Sequence, residues 1–197
     1  MKIIGITGGV GAGKSKLLEY IHNNYNARII FSDDAAKETE KKGMPCYDAL
    51  VSLLGDGILS PDGEIDKKLM ASRIFGDDKL LAKVNGIIHP EVKLYIKAEI
   101  EKERVLGEKE FFFIEAALLI EDHYDEICDE LWYIYADEKV RRERLKASRN
   151  YSDEKTDSIM AAQLSEAEFR KGCKRVIDNS GDVEEAYRQI DLFLQGD

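Results

Sequence analysis

The residues best suited to chemistry lie near the start of the chain, in Gly8-Gly9-Val10-Gly11-Ala12-Gly13-Lys14-Ser15: a glycine, four residues, then Gly-Lys-Ser. Glycines at Gly8, Gly9, Gly11 and Gly13 leave the main chain bare, so it can curl and turn N–H groups onto phosphate oxygens. A helix starting near Gly13 would aim its positive end at the same anion. Lys14 would neutralise charge on the β- and γ-phosphates, and Ser15 would offer its hydroxyl to Mg2+. Lys16 follows, either near the α-phosphate or facing solvent. The spacing is that of a P-loop, and its flanks agree with the mechanism. KIIGIT (2–7) reads as a buried strand, and KSKLLEYIHNNY reads as a helix with Leu17, Leu18, Ile21 and Tyr25 on one face. The motif implies nucleoside triphosphate binding and leaves kinase, GTPase and motor open.

The elements that must position this loop follow from the apolar runs. ARIIF (27–31), FFFIEAALLI (111–120, a strand and its exit), ELWYIYA (130–136) and KRVIDNSG (174–181) supply four further strands. Strands alternating with helical stretches predict an α/β fold, a five-stranded parallel sheet flanked by helices. Residues 32–107 are helical and charged, too long for a simple crossover. Residues 137–171 form a long helical stretch rich in both charges, and VEEAYRQIDLFLQ closes the chain as an amphipathic helix. The expected organisation is one P-loop domain. Its core is 1–34, 108–138 and 172–197, with a helical insertion over 35–107 and a lid over 139–171.

Composition narrows the function. The net charge of −10 argues against nucleic-acid binding, which needs a basic face. Three cysteines, Cys46, Cys128 and Cys173, lack zinc spacing and cannot all pair, so reduced thiols in a cytoplasmic protein are expected. No apolar run has the length of a membrane span or a signal peptide. No NKxD guanine-reading motif occurs, which disfavours a GTPase, and 197 residues leave no room for motor accessory domains. Asp33 and Asp34 follow the second strand, at the strand end that faces the P-loop crevice in a parallel sheet. One of them can act as general base toward an attacking hydroxyl, or cap the next helix, or each can do one job.

With these residues in view, the chain resembles the dephospho-coenzyme A kinase family from Lys2 to about Gly181. GITGGVGAGKS is similar to the family's opening, GDGILSPDGEIDKKLMASRIF to its glycine turn and Asp-Arg-x-x-Leu segment, and FGDDKLLAKVNGIIHPEV to its His-Pro segment. EAALLIE resembles its Pro-Leu-Leu-x-Glu stretch, and VIDNSG its last strand and Asn-containing loop. The resemblance implies transfer of the γ-phosphate of ATP, with Mg2+, to the ribose 3′-hydroxyl of dephospho-coenzyme A. It places the base at Asp33 and the adenine near Arg149. It brings Asn179 to the nucleotide, and Lys67, His89 and Leu118 to the acceptor, with the insertion forming the acceptor side of the cleft.

Glu115 ends a strand beside the P-loop, as a carboxylate for the Mg2+ water shell or a strand-end residue bonded to backbone N–H groups. VRRERLKASR gathers Arg141, Arg142, Arg144 and Arg149. These are either a phosphate-clamping lid, for which the resemblance implies Arg144 and Arg149 as the lid arginines, or a solvated face paired with Glu138 and Glu143. His89 either contacts the acceptor or packs or caps while Pro90 opens a helix. Departures from the family pattern stand at Phe31 in place of Asp, Lys16 in place of Thr, Lys67 in place of Arg, Ala117 in place of Pro, and Cys173-Lys174 in place of Ala-Asp. The Arg144 to Arg149 spacing is one residue longer. They keep two alternatives open: a related kinase with another nucleotide or small-molecule acceptor, and an ATP-binding regulatory protein without transfer. Partners are expected to be small molecules, with neither nucleic acid nor membrane, and the assembly a monomer or small homo-oligomer.

Overall fold

The structure, a computed structural model, describes residues 1–196. Five strands, β1 (Lys2–Thr7), β2 (Ala27–Phe31), β3 (Phe111–Glu115), β4 (Glu130–Tyr135) and β5 (Arg175–Asp178), form one sheet of order β2-β3-β1-β4-β5. The expected strands are all present. β1 is central and runs parallel to β3 on one side, with Ile6 opposite Glu115, and to β4 on the other, with Thr7 opposite Tyr133. β4 and β5 are also parallel. These strands read as unbroken apolar runs because both sheet faces are covered.

The chain divides into two compact units. The first comprises Met1–Ile29 and the chain from Gly107 onward. In it, alternation along β4 sends neighbouring aromatics to opposite faces. Trp132 meets Phe193 of α9 (Val183–Gln195) edge-on at 5.5 Å between ring centroids. Tyr133 stacks on Phe169 of α8 (Glu166–Gly172) at 4.7 Å. Leu17, Leu18 and Ile21 of α1 (Lys14–Asn24) and Ala186, Ile190 and Leu194 of α9 are buried stripes at helical spacing. The charged run after β4 divides into α6 (Glu138–Arg149), α7 (Asp153–Ala161) and α8. Asn150 ends α6 in the left-handed conformation, the Ser152 hydroxyl caps α7, and Ser165 with Glu168 forms a capping box on α8.

At the start of β4, buried Glu130 accepts hydrogen bonds from Trp132 Nε1 (2.9 Å), Lys174 Nζ (2.8 Å) and Arg175 Nε (2.8 Å), with Lys2 Nζ at 3.1 Å. Burial alone would raise its carboxyl. Arg175, Lys174, Trp132 and Lys2 reverse this and hold it far below the usual carboxylate range.

The second unit, Ile30–Leu106, is helical. It contains α2 (Ser32–Thr39), α3 (Pro45–Leu54), α4 (Lys67–Ile74) and α5 (Asp78–Leu106). Cys46, Leu50, Leu54, Ile58, Met70 and Val84 form its own core. Pro90 does not open a helix, as one sequence reading had it, but lies inside α5. A proline there removes one backbone hydrogen bond and costs about 3 kcal/mol or more. Val84 before it and Val92, Ile96 and Ile100 after it are all buried. A continuous helix keeps Val92, Ile96 and Ile100 on one buried stripe while Val84 packs in the unit's core, and at about 1.5–3 kcal/mol per buried side chain that burial prevails.

Candidate active site

The loop between Thr7 at the end of β1 and Lys14 at the start of α1 holds the predicted phosphate cradle. Gly13 takes φ of 90°, and a Cβ there would stand 2.4 Å from Nδ2 of Asn179. Only glycine meets both conditions. Asn179 is buried, and its Nδ2 donates to the Ala12 carbonyl at 2.7 Å. Arg144 grips the same segment, with Nη2 donating to the Asn179 carbonyl (2.9 Å) and Nη1 to the Ala12 carbonyl (3.4 Å). Asn179 and Arg144 therefore both engage the loop's main chain.

Lys14 Nζ donates to the Gly8 carbonyl at 2.8 Å and lies 3.5 Å from Glu115 Oε1. Burial lowers the Lys14 pKa. Glu115 opposes that shift, and Arg141 and Arg149 add to it. Glu115 thus ends β3 beside the loop lysine. Arg149 is exposed, with its guanidinium 5.9 Å over the Tyr151 ring. Ser15 and Lys16 are exposed in the first turn of α1, and Leu118 is exposed in the turn after β3. The loop thus gathers Lys14, Glu115, Arg144 and Asn179 within the first unit, and Arg149 bears on Lys14 only through its charge.

Asp33, Lys67 and His89 belong to the second unit. Asp33 is exposed in the first turn of α2, whose start carries no side-chain cap, so the capping reading of Asp33 and Asp34 does not hold. Asp34 pairs with Lys37 instead. Lys67 Nζ lies 3.3 Å from Glu40 Oε2. Burial raises the Glu40 carboxyl against the pull of Lys67. His89 is half-buried within α5.

Sequence reasoning did not single out two further contacts of the loop. Arg141 Nε donates to the Val10 carbonyl at 2.9 Å. Gln163, in the turn between α7 and α8, accepts from the Val10 N–H at 3.1 Å and from Arg141 Nη2 at 3.0 Å. Arg141 was visible only as one of four clustered arginines, and Gln163 carries no periodic or charge signal.

For Mg2+, no group of three or more His, Cys, Asp or Glu side chains forms a metal cage among the described residues. Mg2+ does not need one, because it is commonly held by one or two carboxylates with substrate phosphates and water. The exposed Ser15 hydroxyl and the Glu115 carboxylate beside Lys14 are hard oxygen donors of that kind, so the donor set fits.

A five-stranded parallel sheet with a G-x-x-x-x-G-K-S loop leaving its central strand defines the P-loop kinase fold. Relatives narrow this. The family described as dephospho-CoA kinase matches residues 2–185. A dephospho-CoA kinase from Aquifex aeolicus is 36% identical, covering 96% of this chain and 94% of its own. One from Geobacter sulfurreducens is 33% identical over 97% and 96%. The crystal structure of TT1252 from Thermus thermophilus superposes with a TM-score of 0.81 at 26% identity, covering 99% and 97%. The chain belongs to the dephospho-CoA kinase family and is a kinase.

Proposed function

We infer that this protein transfers the γ-phosphate of ATP to the ribose 3′-hydroxyl of dephospho-coenzyme A, giving coenzyme A and ADP, the last step of coenzyme A synthesis. The observation that carries the reading is the family match over residues 2–185, with an intact phosphate loop whose Lys14 is held between the Gly8 carbonyl and Glu115.

The proposed roles follow from side-chain chemistry. Main-chain N–H groups from Gly8 to Lys16 cradle the ATP phosphates, and Lys14 moves from the Gly8 carbonyl to a phosphate oxygen as ATP enters. Asp33 accepts the proton of the 3′-hydroxyl. The freed oxygen bonds to the γ-phosphorus as the bond from that phosphorus to the β,γ-bridging oxygen breaks, and ADP departs with the electron pair. Arg149, exposed and electrostatically coupled to Lys14, clamps the transferring phosphoryl group and borders the adenine. Arg144 and Asn179 support the cradle through its backbone. Ser15 and Glu115 would hold Mg2+, which supplies charge neutralisation on the β- and γ-phosphates. Lys67, His89 and Leu118 are assigned to the acceptor.

The domain plan proposed with these roles is a sheet core, an acceptor-binding helical insertion over 35–107 and a lid over 139–171. No helix among the described residues is long and apolar enough to cross a membrane. We assign the protein to the cytoplasm, as a monomer or small homo-oligomer with small-molecule partners and no nucleic acid.

The test is ADP release with ATP, Mg2+ and dephospho-coenzyme A, beside a panel of nucleoside monophosphates, with product mass confirmed. Turnover confined to dephospho-coenzyme A is the expected result. Turnover with a panel member instead overturns the acceptor, and ATP binding without any turnover overturns the transfer.

A further inference from the structure

The phosphate loop is held from outside at one residue on both its polar groups. Val10 donates its N–H to Gln163 Oε1 (3.1 Å), and its carbonyl accepts from Arg141 Nε (2.9 Å). The two holders are joined to each other, since Arg141 Nη2 donates to the same Gln163 oxygen at 3.0 Å. The result is a closed ring of three hydrogen bonds around one peptide segment. Gly9 is shaped for it: a Cβ there would lie 2.4 Å from the Arg141 Cζ, so the guanidinium rests directly on the bare main chain.

The ring joins distant parts of the sequence. Arg141 stands in the first turn of α6, and Gln163 in the turn that ends α7 and leads to α8. Gln163 is placed there by its own backbone, its N–H bonding the Met160 carbonyl at 3.2 Å. Neither side chain is needed to build the sheet or its apolar core. An amide oxygen accepting two N–H donors orients both without adding charge beside the phosphate loop. That matters because a carboxylate so near would oppose the incoming phosphates.

We propose that Arg141 and Gln163 are positioning residues that clasp Val10, fixing the phosphate loop in its ligand-ready shape and tying it to the α6–α8 segment. This rests on the kinase reading above and extends it to residues outside the P-loop motif. Without the clasp, the loop would have to be ordered by ATP itself, and part of the binding energy would go into that ordering. ATP affinity then falls while the acceptor site is untouched.

The test uses the full chain and begins with wild-type turnover of ATP and dephospho-coenzyme A. If the wild type is inactive, the functional reading fails at that step. ATP binding measured by titration calorimetry without acceptor still tests the clasp. Gln163→Met keeps length but removes the acceptor. Losing two hydrogen bonds, one from a charged donor, is expected to raise the ATP KM and Kd about tenfold or more. The dephospho-coenzyme A KM should stay within twofold. Gln163→Glu restores the acceptor for both donors but adds the charge that opposes phosphate, so its ATP Kd should fall between those of wild type and Gln163→Met. A merely structural role would lower the melting temperature and leave the ATP KM of the folded fraction unchanged. The double variant Arg141→Lys/Gln163→Met, which keeps the charge but not the guanidinium fork, should be little worse than the weaker-binding single variant, because both act through Val10. Full additivity of the two effects, or an ATP Kd for Gln163→Met within twofold of wild type, would overturn the proposal.

Discussion

Glu130→Gln should destabilise the fold while leaving catalysis intact. The carboxylate accepts from Trp132, Lys174 and Arg175 and lies 3.1 Å from Lys2 Nζ. Its side chain is only 3% exposed, against 24% for Lys2, 22% for Arg175 and 63% for Lys174. Lys174 reaches water freely and contributes little. Lys2 and Arg175 are mostly covered, and a charge-assisted hydrogen bond contributes about 1.5–3 kcal/mol. An amide in place of the carboxylate keeps one acceptor for Trp132 and turns an N–H2 toward the cations. The loss should be about 3 kcal/mol, at the low end of what breaking a buried ion pair costs. For a chain of this size each kcal/mol lowers the midpoint by about 2–4 °C, so thermal unfolding should shift down by roughly 6–12 °C. Urea unfolding should show a lower midpoint with an unchanged slope. Glu130 starts β4, whereas the phosphate loop follows the far end of neighbouring β1, so kcat at 25 °C should be unaffected. The pH dependence has a definite sign. The folded carboxyl is held below its unfolded value, so its contribution is complete above the usual range near ~4.3 and is lost as pH falls through the folded value. The wild-type advantage over Glu130→Gln should therefore be flat from neutral pH down to about 5 and shrink below that. A difference under 1 kcal/mol at pH 7, or one that grows on acidification, would refute the reasoning.

Other predictions concern the site. Asp33→Asn should lower kcat by about 10²-fold or more through loss of the general base, with ATP affinity within a few-fold of wild type by calorimetry; wild-type turnover would remove Asp33 from that role. Glu115 raises the Lys14 pKa against burial, so Glu115→Gln should move the alkaline limb of kcat/KM for ATP to lower pH. A limb that stays in place or moves up would show that Lys14 does not set it. Asn179→Asp would set a carboxylate against the Ala12 carbonyl that now accepts from Nδ2, and the ATP KM should rise about tenfold, read by steady-state kinetics.

How much of this was readable in advance depended on what each residue answers to. The loop from Gly8 to Ser15 was legible because a backbone folded tightly under other groups admits only glycine, as the contact of Gly13 with Asn179 shows. The strands were legible because burial on both faces leaves continuous apolar runs such as FFFI and LWYIY. The interior of α5 was not, since a local rule about Pro90 competes with long-range burial of Val84, Val92, Ile96 and Ile100, and only the packed unit shows which prevails. Glu130 begins a strand and gives no hint from pattern alone that Lys2, Lys174 and Arg175 converge on it. Gln163 is the hardest case: its partner is a main-chain N–H 153 positions away, and no side-chain pattern encodes that.

The arginines show why a cluster in sequence is a poor guide to function while its partners in space are a good one. Arg142 pairs with Glu138 and Asp157, Arg170 with Glu166, and Arg188 with Glu185. A carboxylate partner orients a cation and also cancels most of its field. Around the phosphate loop the partners differ. Arg141 is held by the Val10 carbonyl and Gln163, Arg144 by the carbonyls of Ala12 and Asn179, and Lys14 by the Gly8 carbonyl, with one carboxylate, Glu115, at 3.5 Å. Carbonyl and amide oxygens fix the direction of a cation but leave its net charge in place. A chain of net charge −10 can therefore hold a positive site for a polyphosphate, because Arg141 and Arg144 at the loop are oriented by neutral groups whereas Arg142, Arg170 and Arg188 are paired with carboxylates.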